Sequence, residues 1–273
     1  RMSCPVCRVC FSNSAREIAM TRMALSAIAL LQVSEYAKVA GARQMAVSVV
    51  GPIADSNASG VVVYVGTGSA TGQIWNAQQE GKVAALVDYD GDGSVDWQTE
   101  LIGPADSVAI ETPNAVAYAS GSLFVIGVEE GIWRFDNADD YALAGVPFAA
   151  GNDELPPTLG VNIVKASTLP HPFIPYPQHR WKYISIDAAL HLHVLIGHPC
   201  NAWDVDAQNN YVPCATNAEE LHGTIVKFTN IFAEEAQGPT ILAKGIRNTV
   251  GGDWDPQTGA FFFTNNGRDN LFS

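Results

Sequence analysis

VVVYVGT (61–67), SLFVIGV (122–128), HLHVLIG (191–197) and AFFFTNN (260–266) are four versions of one short apolar strand. Val, Ile, Phe and Tyr crowd these stretches, and branched or aromatic side chains suit a pleated surface. Gly, Asn, Asp, Ser or Pro lies close by on either side, as expected for strands joined by turns. An amphipathic stretch precedes each one: ARQMAVS (42–48), PNAVAYA (113–119), RWKYISI (180–186) and VGGDWDP (250–256). A Gly-led strand with a β-branched residue follows the first three: GQIWNA (72–77), GIWRFDN (131–137) and GTIVKFT (223–229).

The same strand types in the same order, about 60–70 residues apart, mark an internal repeat. Repeated four-stranded units stacked radially make a β-propeller, whose channel is lined from strand ends. The spacing exceeds the roughly 40–50 residues of a minimal blade, and the excess falls in loops such as 138–179. A β-sandwich with irregular spacing is the competing all-β fold; the recurring Gly-led strand favours the propeller. No amphipathic helix is expected after residue 40. Four strand pairs predict about four blades, the fourth lacking its outer strands. The expected fold is therefore all-β, an incomplete β-propeller over residues 31–273, with 1–30 outside it.

The composition narrows the partners. With 47% hydrophobic and 16% charged residues, the 273-residue chain has enough apolar material for a large folded core. A net charge of −13 argues against nucleic acid, whose phosphates must be met by Lys and Arg. With 15 basic residues in all, an anionic cofactor would need a local cluster of them. No apolar run reaches the roughly 18 residues of a membrane span.

The N-terminal region supports competing readings. Cys4, Cys7 and Cys10 form a C-x-x-C-x-x-C run, short of the four ligands of a closed zinc site. Residues 1–19 can equally lie upstream of a native start. MTRMALSAIALLQV (20–33) looks like the opening of a signal peptide, with Ala40-Gly41-Ala42 as a cleavage site. LQVSEYA (31–37) reads equally well as a first strand. If the chain is extracellular or periplasmic, a Cys200–Cys214 disulfide closing the polar loop between them is expected. The sequon at Asn57 agrees with secretion.

The differences between the units carry the chemistry. HRWKYISI (179–186), LIGHPCN (195–201) and KGIRNTVGGDWDPQTGAFFFTNNGRDN (244–270) together resemble the glucose/sorbosone dehydrogenases. ARQMAVS with VVVYVGT, and TPNAVAYASGSLFVIGV (112–128), are similar to that family's first two blades. These are soluble quinoproteins with a six-bladed propeller that bind pyrroloquinoline quinone (PQQ) and Ca²⁺. The resemblance implies that His179 is the catalytic base, taking the hydroxyl proton of a sugar or alcohol while hydride goes to PQQ. It implies that Arg247, Asn248 and Arg268 contact PQQ, a tricarboxylate that suits a guanidinium. Backbone carbonyls of Gly267 and Arg268 would ligate the Ca²⁺ beside PQQ, and His198 and Asn201 would face the substrate. An external electron acceptor is implied as partner. Four of six blades would supply one wall of the PQQ site, so this stretch alone is expected to be inactive.

Two further clusters stand apart. Asp88, Asp90, Asp92 and Asp96, with Gly93 at the turn, have the alternate-carboxylate spacing of a calcium loop. Position twelve is Thr99, so an inter-strand loop holding structural Ca²⁺ competes with a solvated acidic turn. His191 and His193 project to one face of a strand, the spacing of a His-x-His metal pair, but the sequence identifies no third ligand. Two function classes besides the dehydrogenase remain: a non-catalytic extracellular propeller that binds a partner, and a hydrolase built on that histidine pair.

Overall fold

A computed structural model describes residues 35–52, 59–68, 81–103, 110, 112–127, 130–170, 179, 181–198, 203–205, 211–213 and 220–267. The chain divides into two compact units, 1–36 and 37–273. The described strands all lie in the second, and among the described residues no helix is long and apolar enough to cross a membrane.

The unit is all-β, built from open antiparallel sheets in chain order. The first comprises β1 (Ala42–Pro52), β2 (Ser59–Thr67), β3 (Val83–Asp88) and β4 (Trp97–Ile102). The second comprises β5 (Pro113–Ala119), β6 (Ser122–Gly127), β7 (Gly131–Phe135) and β8 (Val161–Lys165). The third opens with β9 (Tyr183–Ile186) and β10 (Leu192–Ile196); a separate hairpin, β11 (Trp203–Val205) with β12 (Tyr211–Pro213), follows. β13 (Thr224–Thr229) and β14 (Gln237–Lys244) then complete that third sheet. β15 (Gly252–Trp254) pairs with β16 (Phe261–Phe263).

Alternation along β6 explains how the sheets stack. Leu123 and Val125 enter a core shared with the first sheet, against Val62, Tyr64 and Val87. Phe124 and Ile126 enter a second core, shared with Ile184, Val194 and Phe228 of the third sheet. Successive side chains of a strand point to opposite faces, so a sheet buried on both faces reads as an unbroken apolar run. β10 repeats the device: Leu192, Val194 and Ile196 face the second sheet, while Leu195 faces Phe261 of β16.

The first strands of the three four-stranded sheets, β1, β5 and β9, line one cleft of about 340 Å³ together with Gly251, Gly252 and Asp253 at the start of the β15–β16 pair. Side-chain amides stitch them together. Gln44 of β1 donates through Nε2 to the Ile184 carbonyl (2.5 Å) and accepts from the Ile184 N–H (3.3 Å). Asn114 of β5 donates to the Lys182 carbonyl (2.7 Å). These bonds serve backbone groups at the start of β9 that would otherwise lack partners in a buried position. β1 also carries an apolar row, Met45, Val47 and Val49, that is exposed while Gln44 and Ser48 are buried.

Three expectations change. GQIWNA (72–77) lies outside the described residues, and the strand hydrogen-bonded to β2 is β3. VAALVD, with its two alanines, lacks the Gly lead of the other third strands. A helix does follow the second sheet's inner strands: α1 (Ala138–Ala144) buries Ala138, Tyr141 and Ala142 and ends at Gly145 in the left-handed region (φ 67°). Two turns are too short to display a 3.6-residue period in sequence. Residues 35–37, the described part of LQVSEYA, are not strand. Asn57, Cys4, Cys7 and Cys10 lie outside the described residues.

Candidate functional site

The predicted residues His179, His198, Arg247 and Asn248 lie far apart in sequence and meet at one end of the third sheet. His179 precedes β9, whereas Gly197 and His198 leave β10 at the same end. His179 Nδ1 lies 2.7 Å from the His198 carbonyl oxygen. A carbonyl only accepts, so Nδ1 carries the proton of the neutral ring and Nε2 carries the basic lone pair. The His198 N–H donates to the Arg247 carbonyl (2.7 Å), tying the second of these segments to the third.

Close backbone approach makes this convergence possible. A Cβ on Gly197 would lie 2.6 Å from His179 Cβ and 3.0 Å from its carbonyl oxygen. Nothing larger than glycine fits there without moving the histidine. His179 itself has φ 53°, a left-handed conformation unusual for a side chain with a Cβ. Such conformations persist where surrounding structure fixes them, and they cluster at functional sites.

Asn265 organises the Arg–Asn pair. Its Oδ1 accepts the backbone N–H of Arg247 (3.1 Å) and that of Asn248 (3.2 Å). The Asn266 N–H returns a bond to the Asn248 carbonyl (2.8 Å), and Arg247 Nη1 donates to the Asn266 carbonyl (3.3 Å). Arg247 and Asn248 are half-buried. The space next to Gly267 Cα is open, with no atom within 4 Å of where a Cβ would sit. A partly covered guanidinium beside an open backbone turn fits a carboxylate-bearing ligand. Arg268, Asn201, Cys200 and Cys214 lie outside the described residues.

Two features escaped the sequence. Asn265 reads as part of an Asn-Asn-Gly turn, and only the fold turns its side chain back on Arg247. Arg43, at the start of β1, stacks on Trp181 with its guanidinium carbon 4.6 Å from the ring centre. Gly68 lies against both groups, so this second cation sits where β1, β2 and β9 meet. Burial lowers the Arg43 pKa from its ordinary value.

The Asp88 loop joins β3 to β4, as its spacing suggested. Asp88 is buried, and its carboxylate accepts the N–H groups of Gly91 (2.8 Å), Asp92 (3.2 Å) and Gly93 (2.9 Å). Carboxylate oxygens of Asp88, Asp90 and Asp96 all lie within 4.8 Å of one another. Asp92 instead accepts from Ser94 N–H (2.7 Å), closing the turn, and Thr99 at position twelve is buried in β4. His191 and His193 lie at the other end of the third sheet from His179, where β9 turns into β10, and take no part in this site. No protein-family model matches the chain, and no curated protein matches it.

Proposed function

We propose that the chain is part of a β-propeller dehydrogenase of the glucose/sorbosone type, oxidising a sugar or related alcohol with PQQ. The observation that carries this is the meeting of His179, His198 and the Arg247–Asn248 pair at one end of the third sheet. Four inner strands around a common cleft support the propeller, in which strand ends build a site beside a central channel. The exposed apolar row on β1 and the exposed Phe262 and Phe263 on β16 are the flanks that further blades would cover.

In this function His179 is the base. Its Nδ1–H, held on the His198 carbonyl, orients the ring so that Nε2 takes the substrate hydroxyl proton. Arg247 binds a cofactor carboxylate, while Asn265 fixes the backbone from which Arg247 and Asn248 project. The Gly267 carbonyl would contribute to the Ca²⁺ site beside the cofactor. When bound, PQQ supplies the hydride acceptor and Ca²⁺ the positive charge that polarises it. His198 stands beside the base as a substrate contact.

The test is binding followed by turnover. The full-length protein that contains this chain, with Ca²⁺, is expected to quench or shift PQQ fluorescence at micromolar cofactor, and Arg247→Ala to weaken that binding about tenfold or more. Dye reduction on adding sugars or alcohols then reports turnover. Absence of PQQ binding at micromolar concentration removes the dehydrogenase and leaves a propeller that binds some other partner.

Structural Ca²⁺ at the Asp88 loop belongs to the same proposal. Three converging carboxylates repel one another, and a divalent cation offsets that repulsion. Millimolar Ca²⁺ is expected to raise the melting temperature by several degrees, and Asp90→Asn with Asp96→Asn to abolish the increase. An increase that survives the double substitution places the ion elsewhere.

A further inference from the structure

The turn between β9 and β10 supplies what the His191–His193 pair lacked in sequence. Asp187 and His191 close it: the Asp187 N–H donates to the His191 carbonyl (3.0 Å), and the Leu190 N–H donates to the Asp187 carbonyl (2.9 Å). Leu190 takes φ 61° to complete the reversal. The two oxygens of Asp187 then divide their work. Oδ1 accepts the backbone N–H groups of Ala189 and His191, both at 2.9 Å. Oδ2 faces His191 Nδ1 and His193 Nε2, each at 3.0 Å.

We propose that Asp187, His191 and His193 form a binding site for one divalent transition-metal ion, zinc above all, with a coordination position left open on the solvent side. The three donor atoms lie within 4.8 Å of one another. Around a tetrahedral zinc with bonds of about 2.0–2.1 Å, neighbouring ligand atoms stand about 3.3 Å apart. The two 3.0 Å separations therefore need to open by only a few tenths of an ångström. Two imidazoles and one carboxylate form a borderline donor set, suited to zinc, cobalt or nickel and poor for calcium, which prefers oxygen alone.

The surroundings favour a held ion over a mobile ion pair. The Asp187 carboxylate is oriented before binding because Oδ1 is already committed to two backbone donors, as ligand-positioning partners do in metal sites. His193 is 2% exposed and packs edge-on against Trp254, ring centres 4.7 Å apart. Its Nδ1 is buried without a hydrogen-bond partner, so the ring is tied only through Nε2.

Access comes from the His191 side. His191 is half-buried and borders a cavity of about 360 Å³ that Leu190, Ile231 and Phe232 also line. Water, or a small anionic ligand, would occupy the fourth position there. The site lies at the end of β9 and β10 opposite His179, so its occupancy is separable from PQQ binding.

Titration of the chelator-treated full chain with Zn²⁺ by calorimetry, and with Co²⁺ by visible absorption, tests the site. One ion per chain is expected, with tetrahedral cobalt bands that Zn²⁺ displaces and excess Ca²⁺ does not. His191→Ala removes a ligand outside the core, so the metal-free melting temperature should hold while affinity falls more than about tenfold. Asp187→Asn should weaken binding comparably. Absence of uptake by the unaltered chain overturns the proposal, as does uptake that His191→Ala leaves unchanged or that Ca²⁺ competes away.

Discussion

Replacing His179 with glutamine in the full-length protein is expected to lower PQQ-dependent turnover by about 10²–10⁴-fold while leaving PQQ binding within about threefold. Glutamine still offers an N–H to the His198 carbonyl, which the histidine ring now holds at 2.7 Å. What it lacks is a basic lone pair, so the loss should fall on kcat and not on cofactor affinity. Steady-state kinetics with an artificial electron acceptor, alongside a PQQ titration, separates the two. Turnover that survives His179→Gln would remove the histidine from its role as base. Parallel melting curves guard against a trivial cause, because residue 179 has a positive φ and its Cβ lies against Gly197.

Asp139→Ala is expected to cost about 3 kcal/mol, the largest stability loss we anticipate from any single substitution outside the apolar cores. Asp139 lies in the first turn of α1 and ties two sheets together. Its Oδ1 accepts Tyr64 OH (2.6 Å), and its Oδ2 accepts Ser48 Oγ (2.8 Å) and Tyr118 OH. Tyr64 and Tyr118 stack with ring centres 5.6 Å apart. Alanine would leave the fully buried Tyr64 hydroxyl without this acceptor, and a buried unpaired polar group costs about 1–3 kcal/mol. For a unit of this size, a loss of about 3 kcal/mol corresponds to roughly 6–12 °C in Tm. A drop under about 2 °C in thermal or urea melts would show that the clamp is dispensable.

The same clamp sets an alkaline limit. Burial, reinforced by Asp139, pushes Tyr118 from its ordinary 10.0 up to about 12 and raises Tyr64 as well. A pKa raised on folding means that the unfolded chain loses the proton first as pH rises. The contribution is complete below about pH 10 and is lost between there and about pH 12. In Asp139→Ala this part of the alkaline slope should flatten.

The four apolar stretches correspond to β2, β6, β10 and β16; in β6 and β10 burial on both faces explains the unbroken run, whereas Phe262 and Phe263 of β16 are exposed. The outer strands were not legible: β4 (WQTELI) mixes buried and exposed positions, and β14 (QGPTILAK) alternates with a Gly-Pro break. At the candidate site, His179, His198, Arg247 and Asn248 were marked out by the family resemblance, and the fold gathers them. Asn265 and Gly197 did not, since one acts by orienting its carbonyl and the other by absence of a side chain. Asp187 lies in the turn between β9 and β10. Its role as third ligand appears only once the turn folds Oδ2 back onto two imidazoles.

The sharing of β6 between two cores has a consequence for how the protein comes apart. A sheet whose strands alternate between partners holds little stability of its own; the free energy resides in contacts between neighbours. Unfolding should therefore propagate from an exposed flank inward, with the β15–β16 hairpin and the outer face of β1 fraying first. Hydrogen exchange ought to fall into a gradient, slowest at Phe124, Val125 and Ile126, where each amide is released only when both neighbouring layers have parted.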